Sequence, residues 1–400
     1  MSKRLLVSQA ASPRALVASL LSAILVAACG ASSHPGQAWT WQGVDLPGQS
    51  SGLRSATYDA VCNCLWIVER AIDSSGTPFV KLLRLDVSTG TAITTSMHLP
   101  GDGYIGGALA IDLSDRVWIA WGHTLVRYEP VTGSVDSWQV PMDSAPRIDS
   151  SNPGLDGNIV AVAADSTGEV WIAAYSMGAV LGFNSKSETF DRSVALAIAP
   201  FRGTRLLALR PGTLMIDGFQ FTGGSPRPVL ADVQIATGTA ATLGPLVQDY
   251  AITSTGDIVF VDDTGALGRD NPANNAIQLL PGRASIANPP QLTSDKTGNV
   301  WFSLVGFGVV GVGELNPTSG AITAFPLPQP KAVEGSGPGI SCDPIVGGNC
   351  DVSNAAFDPQ IQAITIDSHG DLWVVTRLAG SGDPHSMSLM SPVYELKMTS

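Results

Sequence analysis

Eight side chains have types and positions suited to gripping a polar ligand or a cation: Glu69, Arg70, Trp121, His123, Tyr175, Asp262, Asp263 and Arg377. All but His123 follow, by three or four residues, an apolar position that recurs along the chain; His123 falls in the next loop. Asp217, Leu304 and Thr376 occupy comparable places. Carboxylate oxygens suit a hard divalent cation. The neighbours Asp262 and Asp263 would point to opposite faces of a strand, so a shared metal requires a loop there. A solvated rim of Arg–carboxylate pairs is the plainer reading of the same residues. The five His, at 34, 98, 123, 369 and 385, show no metal-ligand spacing. The run Gly48-Gln49-Ser50-Ser51-Gly52 matches Gly-x-Ser-x-Gly in letters only, without the strand-to-helix setting of an elbow that would support a Ser hydrolase, and no Walker-type loop occurs. No metal ligand and no catalytic residue is therefore assigned, and no cofactor is implied by these patterns.

The five Cys divide by position. Cys62 and Cys64 either pair with each other or stay free, and Cys-x-Cys alone does not make a metal site. Cys342 and Cys350 lie in a Gly-rich stretch, residues 329–359, and are expected to form a disulfide stapling it. Cys29 belongs to an address signal. Lys3, Arg4 and Arg14 precede an apolar run over residues 15–28, too short to span a bilayer comfortably. The run ends Leu25-Val26-Ala27-Ala28-Cys29-Gly30. That pattern resembles the lipobox of bacterial lipoproteins, which implies cleavage after residue 28 and lipidation of Cys29. Residues 29–37 would form a flexible tether, and the lipid would hold the chain at a membrane without a protein span. The expected address is the cell envelope, on the periplasmic or outer-surface side. The formal net charge is −12, and the removed signal carries three basic residues and no acids, so the mature chain is more acidic still. Such a body repels nucleic acid.

The elements that would position the rim come from a repeat. The pattern is an apolar run, a polar or Gly turn, then an apolar residue and Trp: Asn63-Cys64-Leu65-Trp66, Asp115-Arg116-Val117-Trp118, Gly168-Glu169-Val170-Trp171, Gly298-Asn299-Val300-Trp301 and Gly370-Asp371-Leu372-Trp373. Gly212-Thr213-Leu214-Met215 and Gly256-Asp257-Ile258-Val259 are degenerate copies. The key positions, 66, 118, 171, 215, 259, 301 and 373, are spaced 52, 53, 44, 44, 42 and 72 residues apart. Each unit has room for four short strands, as in residues 108–112, 117–120, 125–130 and 135–141. Four-stranded units at this spacing predict an all-β, seven-bladed propeller over residues 38–400, with the aromatic of the second strand packing between blades. The last unit lacks a fourth strand. The segment Trp39 to Pro47 resembles Trp138-Gln139-Val140-Pro141 and is expected to complete it, closing the ring. Residues 329–359 would lie between blades 6 and 7, over the channel mouth.

The stretch Gly298-Asn299-Val300-Trp301-Phe302-Ser303, with Val312 to Pro317 and Gly320 to Pro328, resembles the repeat of the streptogramin (virginiamycin B) lyase family of seven-bladed propellers. Related NHL and lactonase propellers share much of it. The lyase resemblance implies a Glu after a Trp-Phe-Thr strand and His residues at first-strand starts, acting with a metal. Here Leu304 follows Trp301-Phe302-Ser303, and Pro289 to Leu292 holds no His; Trp66-Ile67-Val68-Glu69 alone keeps the acid. The expected function is a membrane-tethered binding module taking a protein, peptide or glycan at its loop-rich face. The alternative is a divergent metal-dependent enzyme of the lyase or lactonase type, using a divalent cation.

Overall fold

The computed structural model describes residues 38–44, 46, 53–99, 109–141, 157–175, 177–196, 206–210, 212–222, 225–243, 247–262, 264–271, 276–283, 291–306, 309–328, 358–379 and 393–399. They form seven antiparallel sheets of four strands. Blade 1 is β2 (Leu53–Asp59), β3 (Cys64–Ile72), β4 (Pro78–Asp86) and β5 (Ala92–Met97). Blade 2 is β6 (Leu109–Ile111), β7 (Val117–Trp121), β8 (Thr124–Glu129) and β9 (Ser134–Gln139). Blade 3 is β10 (Ile159–Ala164), β11 (Glu169–Ala174), β12 (Ala179–Asn184) and β13 (Thr189–Ala195). Blade 4 is β14 (Leu206–Arg210), β15 (Thr213–Thr222), β16 (Ser225–Gln234) and β17 (Thr239–Leu243). Blade 5 is β18 (Val247–Ile252), β19 (Ile258–Asp262), β20 (Ala266–Asn271) and β21 (Ala276–Arg283). Blade 6 is β22 (Leu292–Ser294), β23 (Val300–Gly306), β24 (Val309–Leu315) and β25 (Ile322–Pro326). Blade 7 is β26 (Asp358–Ile366), β27 (Leu372–Ala379), β28 (Val393–Thr399) and, from the other end of the chain, β1 (Ala38–Val44). The seven-bladed ring is thus the one the repeat predicts.

The second strand of each blade is buried on both sides and so contributes to two cores. In β7, Val117, Ile119 and Trp121 join the cluster shared with blade 1, while Trp118 and Ala120 join the cluster shared with blade 3. The repeated aromatic always faces the next blade. Trp66 packs with Val117 and Ile119, Trp171 with Leu214 and Ile216, and Trp301 with Leu372 and Val374. Trp373 closes the circle against Leu53 and Leu65 of blade 1. Where the indole is replaced, a neighbour fills the space. Met215 packs with Tyr250 and Phe260, and the Tyr250 hydroxyl donates to the Met215 carbonyl at 3.2 Å. Val259 packs with Phe302 and Leu315.

A hydrogen bond ties each remaining indole to the turn before it. Nε1 of Trp66, Trp118, Trp171, Trp301 and Trp373 donates to Oδ2 of Asp59, Asp112, Asp165, Asp295 and Asp367, at 2.8–3.2 Å. The other carboxylate oxygen caps the turn. Asp165 Oδ1, for example, accepts from the amides of Thr167 (2.8 Å) and Glu169 (3.1 Å). The turn's third position has positive φ and is Gly168, Gly256, Gly298 or Gly370 in blades 3, 5, 6 and 7. Asn63 (φ 49°) and Asp115 (φ 58°) hold it in blades 1 and 2.

Ring closure is a full strand pairing. β1 runs antiparallel to β28 from Ala38↔Thr399 to Val44↔Val393. Trp39 meets Trp301 edge-on at 5.4 Å and Trp41 meets Tyr394 at 6.2 Å, while Val44 and Leu46 enter the core between blades 7 and 1. The expected 329–359 insertion is shorter at its end, because residues 358 and 359 already belong to β26. Its remainder, with Cys342 and Cys350, lies outside the described residues, as do the signal, Cys29 and the tether. Among the described residues no helix is long and apolar enough to cross a membrane.

Candidate functional site

The second strand of each blade ends where the first begins, so these ends share one face of the ring. The register shows this directly: Leu53 faces Glu69, Ile159 faces Ala174 and Val247 faces Asp262. The second-to-third and interblade loops therefore gather at the mouth, as expected from the strand order.

The expected rim residues meet different fates there. Glu69 is buried and lies 3.6 Å from Lys81, its cross-strand partner on β4. Arg70 is half-buried beside it. Trp121 does not stand on the rim: it is fully buried in the core between blades 1 and 2. Its offset of three from Trp118 turns it to the opposite side of the strand, away from blade 3 and into blade 1. His123 is exposed in the hairpin after β7. Tyr175 is buried at the end of β11, where its amide donates to the Asn158 carbonyl at 2.8 Å. Asp262 holds its own turn together, with Oδ1 accepting from the amides of Thr264 and Ala266 at 2.8 Å each and from the Thr264 hydroxyl at 2.7 Å. Asp263 lies outside the described residues, and of Arg377 only the backbone, in β27, is described.

Several polar groups at this face were not picked out from the sequence. Asn158, just before β10, is fully buried, and neither Oδ1 nor Nδ2 has a hydrogen-bond partner among the described residues. Asp249 is buried at the start of blade 5, and its Oδ2 accepts the Leu292 amide of blade 6 at 2.7 Å. Ser303 is buried, and its hydroxyl accepts the Gln291 amide at 3.0 Å. Asp217 and Thr376, named for their position alone, are buried too. A lone Asn before a strand gives no warning in one sequence; only its burial without partners marks it. The mouth is thus lined with buried polar groups from most blades.

The opposite face carries the Asp–Trp turns. Three buried acids of blade 7, Asp367, Asp371 and Glu395, bring one oxygen each within 4.8 Å of one another. Burial pushes the Glu395 carboxyl up, Lys397 pulls it part of the way back, and Asp371 and Asp367 push it up again. Asp367 is already the turn cap and the acceptor of Trp373. In blade 3, Glu169 is raised by burial although Arg192 lies 3.2 Å away and opposes the shift. A shallow polar hollow there is lined by Glu169, Asn184, Lys186 and Arg192. Cys62 and Cys64 are joined in a disulfide on this face, which settles their pairing.

No protein family's sequence pattern matches the chain, and no curated protein matches it in sequence. Solved structures match along most of its length. A streptogramin B lyase shares 12% identity with a TM-score of 0.60, covering 90% of this chain and 98% of its own. A virginiamycin B lyase from Staphylococcus aureus, in a catalytically inactive form with quinupristin, shares 14% identity with a TM-score of 0.60, covering 90% of this chain and 100% of its own. The WD40 propeller domain of Doa1 shares 12% identity with a TM-score of 0.53, covering 90% and 97%. Identities this low carry the fold and leave the chemistry to the site. The chain is a seven-bladed β-propeller similar in fold to the streptogramin lyases and to a WD40 propeller domain.

Proposed function

We propose that this propeller is a binding module of the cell envelope, held at a membrane by lipid on Cys29 and receiving a protein, peptide or glycan at its mouth. The observation that carries the binding reading is the Asn158 amide. A buried polar group without a partner costs about 1–3 kcal/mol; Asn158 is fully buried behind the mouth with no partner among the described residues, and a water or ligand group admitted there would relieve that cost. Glu69, Arg70, His123, Tyr175 and Arg377 surround the same opening in this reading, and the buried Trp121 serves as scaffold. The tether reading is supported by the Leu25 to Gly30 pattern.

Replacing Asn158 with Leu removes the unpaired amide at similar volume. Stability should hold or rise, while binding to envelope extracts or to peptide and glycan arrays falls about tenfold or more. Unchanged binding would remove the mouth from the proposal. Changing Cys29 to Ala should release the protein from membranes into the soluble envelope fraction; retention in the membrane fraction counts against the anchor.

A second reading, a divergent metal-dependent enzyme, is favoured by the fold likeness to the lyases and by the buried acid Glu69. It requires calorimetric uptake of Mg²⁺, Mn²⁺ or Ca²⁺ that is lost in Glu69→Gln. A flat titration with all three ions rejects it.

A further inference from the structure

We propose that Cys62–Cys64 is a redox-active disulfide that oxidises a pair of thiols on an exposed polypeptide. Its bond encloses a single residue, with a sequence separation of 2. Loop-closure entropy is the main way a disulfide stabilises a fold, and that gain is smallest for the shortest loops. The turn does not need the bond. Asp59 Oδ1 accepts the Val61 amide at 2.9 Å, the Tyr58 hydroxyl donates to Asn63 Oδ1 at 2.7 Å, and the Val87 amide donates to the Asn63 carbonyl at 3.3 Å. Blades 2, 3, 6 and 7 build their Asp–Trp turns without any cysteine.

The two sulfurs are unequally placed. Cys62 is exposed, whereas Cys64 begins β3 and is 2% exposed in the core between blades 1 and 2. A nucleophile from solvent therefore meets Cys62 first. The surroundings suit a polypeptide: Val61 is 74% exposed next to Cys62, and Leu113, 72% exposed, occupies the corresponding turn of blade 2 on the same face. An oxygen of Asp59 lies within 4.8 Å of both sulfurs.

The exchange balances. A substrate thiolate attacks Cys62 Sγ, the Cys62–Cys64 bond breaks, and Cys64 takes the electron pair and a proton from water. A mixed disulfide then joins the substrate to Cys62. The substrate's second thiolate attacks its own bonded sulfur and releases Cys62, which is protonated in turn. The substrate has lost two electrons and two protons and gained a disulfide; the propeller has gained two thiols.

The test equilibrates the full chain with graded ratios of reduced to oxidised glutathione, and separately with an equimolar unstructured peptide carrying two thiols. Acid quenching, alkylation and mass spectrometry of the peptide spanning Cys62 and Cys64 separate this pair from Cys29, Cys342 and Cys350. The pair should be reduced as the ratio rises, and the peptide should be oxidised one for one. With the peptide supplied instead as its disulfide, the free Cys62 thiol of Cys64→Ser should attack it and hold it as a mixed disulfide, releasing the peptide's other thiol, at least about tenfold faster than the free Cys64 thiol of Cys62→Ser does. A pair that stays oxidised at every ratio overturns the proposal. Equal trapping by both variants overturns the assigned order of attack, and reaction with glutathione but not peptide overturns the polypeptide substrate. The wild-type titration decides the redox activity by itself if a variant fails to fold.

Discussion

An aspartate stands six residues before the indole in blades 2, 3, 6 and 7, seven before it in blade 1, and its two oxygens do separate jobs. In blade 5 the indole is Val259, and the aspartate has gone with it: Thr253 caps the turn, its hydroxyl accepting the Asp257 amide at 3.2 Å. Asp165→Asn puts an amide nitrogen or a weaker acceptor where Trp171 needs a carboxylate oxygen. It should cost about 1–3 kcal/mol in urea unfolding at neutral pH. Burial alone would raise the Asp165 carboxyl, but bonds from Thr167, Trp171 and the turn amides outweigh it and hold it below the ordinary range. A lowered carboxylate stabilises the fold above its unfolded pKa and loses that contribution as pH falls through the folded value. The Asn variant should therefore show a shallower acid limb; an unchanged limb would show that Asp165 is not its source. Glu169, Asp270 and Glu395 have the opposite sign, since burial raises each of them and they favour the fold as pH drops. Asp115 is also raised, by burial and by Asp59, Asp112 and Glu129, and it sits at positive φ where other blades have Gly. Asp115→Gly should gain about 1 kcal/mol in the same assay.

Strands set which of these details could be read in advance. The blades were legible because an inter-blade wedge must be large and apolar and must recur once per blade, so Trp66 to Trp373 mark the count even through Met215 and Val259. The rim was less legible, because position relative to the wedge names the end of a strand but not its side. Trp121 shows the difference: an odd offset from Trp118 reverses the facing, and that alternation would have placed it inside. Asp262 was readable as a turn cap from the Thr264-Gly265 that follows it. The Asp–Trp pairing was also present as a spacing of six or seven residues, but the bond behind it needed geometry. Close strand contact sets another limit. A Cβ at Gly313 on β24 would collide with the Phe302 ring, which is in the fully occupied core between blades 5 and 6. Gly313→Ala should therefore cost about 1–3 kcal/mol by overpacking; a neutral thermal melt would mean that the ring has room to turn.

The whole molecule is a ring whose stability depends on its seam. Seven apolar clusters match seven interfaces, and β1 serves two of them, with Trp39 and Trp41 against the blade 6–7 cluster and Val44 in the blade 7–1 cluster. Deleting everything through Pro47 exposes Val44's and Leu46's neighbours and strips β28 of its outer partner. Burial of those two side chains alone accounts for about 3–6 kcal/mol, so the truncated chain should unfold well below the full one. Equal melting temperatures would contradict a closed seam. Because Ala38 and Thr399 are cross-strand partners, the first and last strands of the ring meet at one spot on its circumference. A short glycine-rich link across that spot would give blade 7 the same hairpin its six neighbours already have. New ends cut between any two other blades should then yield a circular permutant with the same shape, in which a different blade depends on strands from opposite ends of the polypeptide.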